Sequence, residues 1–338
     1  MKNLFQVSAL AAAMLFAAAG AQAGATLVNG SIALGVNDSG SLNTSSGNVT
    51  ENGEGYTGVA YKFADDKFYD ATAPGCLCEG WGVSVNGTTS GYDGNGFANL
   101  TVGTFSSTAT TATTNASLTS LSGLNVQHAY SPADNAPGAL FKSVVTITNT
   151  TGATVKDVKY VRVMDWDVPP TEFDEYVTIK GTATTSLLEL SHDNGFSSAD
   201  PLASTGEIMA GTTDVDFTDE GPEDHGAYFR FNFGDLANGA SYSFNIFYGA
   251  AGSESLAIDA IAAEGLELYS LGQSGSGGAV NDAAPTFIFG FKGVGGTVLE
   301  CGRPGLPDCP TTTVPEPATM ALLGLGLAGL GFSRRRKS

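Results

Sequence analysis

The sequence predicts an all-β fold, an antiparallel β-sandwich with one short helix. Three observations predict it. Apolar and polar residues alternate with period two in several segments, as in Phe229, Phe231 and Phe233 or Phe287, Phe289 and Phe291. Clusters of Gly, Asn, Ser and Thr separate these segments, where turns are expected. One stretch alone, Ser253 to Glu264, has helical character. Antiparallel strands joined by such turns favour a sandwich over a barrel or an α/β fold.

Taken in order, Leu27, Val28, Ile32, Leu34 and Val36 predict an early strand. From Asn86 to Ser122 the chain is dominated by Thr, Ser, Gly and Asn. The run Thr108–Thr114 suits either an extended strand or a flexible surface. Leu124, Val126, His128 and Tyr130 share one strand face, which makes His128 a core histidine. Phe141, Val145 and Ile147 alternate with Lys142, Val144, Thr146 and Thr148. A turn at Asn149 to Ala153 leads to a longer strand from Val155 to Val168, and the two are expected to form a hairpin. Short strands follow at Tyr176–Lys180 and Ser186–Leu190, with His192 in the turn after them. Tyr228–Phe233 and Tyr242–Tyr248 are clean strands, and Asn238-Gly239 between them is a hairpin-turn signal. Ser253 can cap the helix, Glu254 suits its positive end, and Gly265 can stop it. Residues 24–300 are expected to form this β-sandwich domain, with a split near residue 123 as the alternative.

The strand carrying Asp165-Trp166-Asp167 is the strongest candidate for a site. Asp165 and Asp167 share strand parity with Val161 and Val163; Arg162, Met164 and Trp166 take the other face. Both faces are partly apolar, so the strand is central, and carboxylates at its end need a partner. Three readings are open: a structural turn with an ion-pair network through Arg162, a Ca²⁺ site of Asp165, Asp167 and Glu172, or a glycosidase carboxylate pair. A second acidic run, Asp214, Asp216, Asp219, Glu220, Glu223 and Asp224 beside His225, is expected to be a solvated loop. It lacks EF-hand spacing. Three scattered histidines, no Gly-x-Ser-x-Gly elbow, no phosphate loop and no dinucleotide fingerprint argue against several enzyme classes. Trp81 and Trp166 suit either core packing or sugar stacking.

The 338 residues carry a formal net charge of −19, with 34 acidic and 15 basic side chains. A nucleic-acid partner is excluded, since binding phosphates takes a basic face. The basic residues are unevenly placed. Five of the 15 and one of the 34 acids fall outside 24–315, leaving 10 against 33 and a net charge of −23. Lys2, the apolar run from Ala9 to Ala19 and Ala21-Gln22-Ala23 have the layout of a Sec signal peptide, residues 1–23, cleaved after Ala23. At the other end Pro315-Glu316-Pro317 precedes an apolar Gly- and Leu-rich stretch from Ala318 to Phe332, then Arg334, Arg335, Arg336 and Lys337 as a membrane stop.

Export exposes the cysteines to an oxidising compartment. Cys301 and Cys309 would close a Gly- and Pro-rich loop within the linker 301–314, and Cys76 and Cys78 a tight ring. Cross-cluster pairing, free thiols and metal-bound thiols are the alternatives.

On Pro315, Glu316, Pro317, the apolar helix and the basic cluster, residues 315–338 resemble the PEP-CTERM sorting signal of Gram-negative bacteria. The resemblance implies processing by exosortase, a membrane protease, at Pro315-Glu316-Pro317 after transient anchoring of a transmembrane sorting helix. Met164 to Pro170, Leu268 to Gly272 and Phe287 to Phe291 more loosely resemble the extracellular β-rich domains that precede such tails. The expectation is a non-enzymatic surface or extracellular-matrix protein, associated with exopolysaccharide and active in biofilm or floc formation. A secreted carbohydrate-active enzyme, a Ca-dependent carbohydrate-binding module and a subunit that assembles through strand edges are the rivals.

Overall fold

The computed structural model describes residues 24–298. The signal peptide with Ala23, the Cys301 and Cys309 linker and the tail with its membrane stop lie outside the described residues.

In chain order the elements are β1 (Gly24–Asn29), β2 (Ile32–Asn37), β3 (Val59–Lys62), β4 (Phe68–Asp70), β5 (Glu79–Val85), β6 (Thr89–Asp93) and β7 (Phe97–Ala98). Next come β8 (Leu100–Ser107), β9 (Ala112–Leu118), β10 (Leu124–Pro132), β11 (Leu140–Asn149), β12 (Lys159–Asp165), β13 (Glu175–Lys180) and β14 (Leu188–His192). The rest are β15 (Phe217–Glu223), β16 (Gly226–Asn232), β17 (Ser241–Ala251), α1 (Glu254–Glu264), β18 (Leu268–Gln273), β19 (Gly275–Ser276), β20 (Ala279–Val280) and β21 (Thr286–Lys292). The strands are antiparallel in every sheet. A nine-stranded sheet has the order β15-β13-β18-β21-β17-β11-β10-β9-β8, and a six-stranded sheet the order β14-β16-β12-β5-β6-β7. β1 to β4 form a third sheet, and β19 and β20 a small ribbon.

The two large sheets pack face to face through aromatic residues. Phe229 of β16 lies 5.5 Å from Phe289 and 5.2 Å from Phe291 of β21, centroid to centroid. Tyr160 of β12 meets Phe244 of β17 at 5.1 Å, and Trp81 of β5 meets His128 of β10 at 4.7 Å. The described body is mostly antiparallel β with one α-helix, as expected. Each aromatic side chain buried in it contributes about 1.5–3 kcal/mol. The helix covers the outer face of the nine-stranded sheet, with Ala257 and Ile261 packed among Leu140, Phe247, Leu271 and Ile288. Its ends are as expected: Ser253 Oγ accepts from Leu256 N, and Gly265 closes it in the left-handed conformation.

Two expected hairpins are absent. β11 and β12 lie in different sheets, as do β16 and β17. The expected strand also begins at Lys159, not Val155, which forms an isolated bridge to Leu236. The reason is physical. A strand with one apolar face can bury it by facing another strand across the core as readily as by pairing beside it. Alternation is identical in the two cases. Asn149 secures the crossing: its Nδ2 donates to Ala153 O and Leu236 O, each at 2.8 Å.

Two further expectations are corrected. His192 ends β14 as a buried residue, its ring stacked on Tyr228 at 4.6 Å. The acidic run is only in part the expected solvated loop: Asp214 and Asp216 are exposed in the loop ahead of Phe217, but Phe217–Glu223 forms the edge strand β15. Its carboxylates are used: Asp214 accepts from Ser191 N, and Asp216 from Thr182 N. Trp81 and Trp166 are both fully buried, so neither stacks on a sugar at the surface.

Candidate functional site

β12 is central, lying between β16 and β5, as its two apolar faces require. Val161 and Val163 pack outward with Ala199 and Tyr228, while Met164 and Trp166 join the main core. Arg162 also points into that core and pairs with Glu79 Oε1. Its Nη1 donates to Gly40 O at 3.1 Å, and its guanidinium sits 5.4 Å from the Tyr248 ring. Glu79 Oε2 in turn accepts from Leu42 N at 2.7 Å. Arg162 is therefore committed on the opposite face and does not neutralise Asp165 and Asp167, as the ion-pair reading expected.

Asp165 and Asp167 are each 1% exposed at the end of β12. Close backbone approach makes the corner. A Cβ on Gly195 would lie 2.5 Å from Asp165 Cα, and one on Gly226 2.1 Å from Met164 O. Asp224, half-buried between β15 and β16, completes a trio: one oxygen of each of Asp165, Asp167 and Asp224 lies within 4.8 Å of the others. Glu172 instead accepts from Asn52 Nδ2 at 3.1 Å. Asp165 Oδ1, both oxygens of Asp167 and Asp224 Oδ1 are buried and have no hydrogen-bond partner.

The electrostatic consequence is large. Burial, then the neighbouring Asp167 and Asp224, push the Asp165 carboxyl up to about 9. Burial, then Asp224, Asp70 and Glu172, push Asp167 up to about 8. Asp224 is raised as well, chiefly by burial and then by Glu223. Glu175 at the start of β13 is raised to about 10 by burial, with Asp167, Asp165 and Asp224 adding to it. Its Oε1 accepts from His225 N at 3.2 Å, and Oε2 is buried without a partner. Carboxyls this close and this dry either hold protons or share a cation.

Two other groups border the trio. Cys76 and Cys78 form a disulfide with S–S 2.04 Å, and Cys76 Sγ lies 3.6 Å from Asp165 Oδ2. His225, whose neighbour Asp224 invites a dyad, bonds Asp193 instead: Nδ1 donates to Asp193 Oδ2 at 3.0 Å, both side chains fully buried. Burial alone would raise Asp193; hydrogen bonds from His225, Met209, Ile208 and Thr212 overcome it and lower the carboxyl to about 2. Asp224 and the Asp193–His225 pair are the residues that the sequence did not single out correctly. The acidic run contained Asp224, but nothing in its spacing pointed across to β12.

No helix among the described residues is long and apolar enough to cross a membrane. Comparison with known proteins adds one family: residues 313–337 match the PEP-CTERM protein-sorting motif. No curated protein matches the chain. The chain thus ends in a PEP-CTERM sorting motif, the mark of a protein that exosortase sorts to the cell surface.

Proposed function

We propose that the chain is a non-catalytic component of the cell surface or extracellular matrix. It leaves the cytoplasm by the Sec signal at residues 1–23 and is held transiently in the inner membrane by 318–332. Exosortase then processes it at Pro315-Glu316-Pro317. The all-β body associates with exopolysaccharide and promotes biofilm or floc formation. The observation that carries this reading is the sorting motif at 313–337 behind an extensively packed β body. The acidic balance of that body supports it, since a strongly negative protein suits neutral or cation-bridged partners.

The rival is a glycosidase-like enzyme using Asp165 and Asp167. Such enzymes need one carboxyl protonated and the other ionised. Here both side chains are 1% exposed, which leaves a sugar little access, and both carboxyls are raised together by burial and then by neighbouring acids. That speaks for a shared binding or structural role.

Deleting the gene should abolish cell aggregation, and a plasmid copy should restore it. A copy with Glu316→Ala and Pro317→Ala should not. Purified protein should release no reducing ends from the cells' own exopolysaccharide. Release that vanishes in Asp165→Asn would overturn the non-catalytic reading.

A further inference from the structure

We propose that Asp165, Asp167 and Asp224 together bind one divalent cation, and that the cation is calcium. The proposal concerns the body alone and stands apart from where the protein is delivered.

The geometry points to it in three ways. The three carboxylate oxygens lie within 4.8 Å of one another. Ca²⁺ takes oxygens at about 2.3–2.6 Å, so ligands on opposite sides of one ion are about 4.6–5.2 Å apart. The trio fits around one such ion. Next, four of the six carboxylate oxygens at this corner are buried without a hydrogen-bond partner. Asp167 is 1% exposed with both oxygens unpartnered, and Asp165 Oδ1 and Asp224 Oδ1 are also buried without partners. Native proteins seldom leave buried polar atoms in that state, and four at one corner ask for a ligand that no side chain supplies. Finally, among the described residues no Lys or Arg forms an ion pair with any of the three, and both basic side chains on the same strand are held elsewhere, Arg162 by Glu79 and Lys159 by Glu189.

The donor set selects the cation. Carboxylate oxygen suits hard ions such as Ca²⁺, Mg²⁺ and Mn²⁺. A second group, Cys76, Cys78 and Asp165, is equally close, but its sulfurs are joined in a disulfide and offer no thiolate for a soft metal. Mg²⁺ demands near-ideal octahedral geometry, whereas Ca²⁺ accepts irregular ligand sets. Three aspartates from two separate segments make an irregular set. Asp224 is half-buried and gives the ion an entry. Asp174 and Glu223, both exposed, add negative potential around Asp224. Bound there, calcium would tie the end of β12 in the six-stranded sheet to the connection leaving β15 at the edge of the nine-stranded sheet.

The test uses the processed protein and terbium, a luminescent calcium substitute. Trp166, between two of the ligands, serves as the antenna. The expected result is saturable emission from one site, displaced by Ca²⁺ at far lower concentration than by Mg²⁺. Asp167→Asn and Asp224→Asn should each weaken terbium binding at least tenfold, while Glu189→Gln, on the surface, should leave it unchanged. Asp224 is half-buried, so its variant keeps the test meaningful where Asp167→Asn fails to fold. Absence of saturable emission, or emission that survives in a folded Asp224→Asn protein, would overturn the site. Displacement by Mg²⁺ as effective as by Ca²⁺ would overturn the choice of calcium.

Discussion

Cys76 Sγ lies 3.6 Å from Asp165 Oδ2, joining residues 89 apart in sequence. A disulfide sulfur has no hydrogen to donate, so in the cation-free protein a hydrogen bond here takes its proton from Asp165. That agrees with a carboxyl pushed up to about 9 by burial, Asp167 and Asp224. The acid corner and the disulfide loop are thus one local structure with a protonation state of its own.

In protein stripped of divalent cations by a chelator, stability should fall as pH rises. Asp165, Asp167 and Glu175 keep their protons in the folded state up to about 9, 8 and 10, against ordinary values of 3.8, 3.8 and 4.5. Folding then binds protons that the unfolded chain has lost. The stabilisation is full below the unfolded values and disappears as pH climbs through the folded ones. Buried His128, held well below 6.5, and His192, lowered to about 4, act oppositely, but only beneath 6.5. Asp70, Glu172, Asp174, Glu223 and Asp224 surround the corner and reinforce the trend. Urea midpoints at about pH 6.5 and 8 check this; a higher midpoint at the upper pH would contradict it.

The Glu79–Arg162 pair should be among the costliest to break. Both side chains are fully buried. Glu79→Gln leaves a buried guanidinium without its counter-charge, and a loss of about 3–5 kcal/mol is expected. Replacing both, as Glu79→Leu with Arg162→Met, should cost less than the single change. Guanidinium chloride unfolding of the three proteins measures the difference.

Removing the disulfide should matter little to global stability. The closed loop spans a sequence separation of 2, and a loop that short constrains the unfolded chain by about 1.6 kcal/mol. Cys76→Ser with Cys78→Ser should therefore fold, with a small drop in melting temperature. Non-reducing peptide mapping should find Cys76 linked to Cys78. A link from either to Cys301 or Cys309 would be incompatible with the structure.

Asp193 should be intolerant of substitution. Its oxygens accept from Ile208 N at 2.8 Å, Met209 N at 2.9 Å and Thr212 Oγ1 at 2.8 Å, besides His225. Asp193→Asn turns one acceptor into a donor facing a donor, and a loss of roughly 1.5–3 kcal/mol is expected. Because the carboxyl is lowered from 3.8 to about 2, its stabilisation is present above the unfolded value and disappears as pH falls between them. Acid unfolding of the variant should lack that component.

Much of this was legible in the sequence, for identifiable reasons. Period-two patterns located β10, β12, β16, β17 and β21, because each buries one or both faces. Ser253 and Gly265 marked the helix ends through cap chemistry that is local. His128 on its apolar face is indeed a core residue, its Nε2 2.9 Å from the Tyr160 hydroxyl. What failed was non-local. Nothing in Asn238-Gly239 tells whether the strands on either side pair or cross the sandwich. Asp165 and Asp167 announced a site by parity, yet Asp224 reaches them only through the tertiary fold. Arg162 and Glu79 are 83 residues apart and meet because β12 pairs with β5.

The most direct measurement is mass spectrometry of the surface-exposed protein from wild-type cells and from cells lacking exosortase. The account predicts a wild-type protein that begins at Gly24 and contains no peptide from Leu325 to Arg334, with the full tail retained in the membrane fraction of the mutant. Tail peptides in the surface-exposed wild-type protein would contradict it.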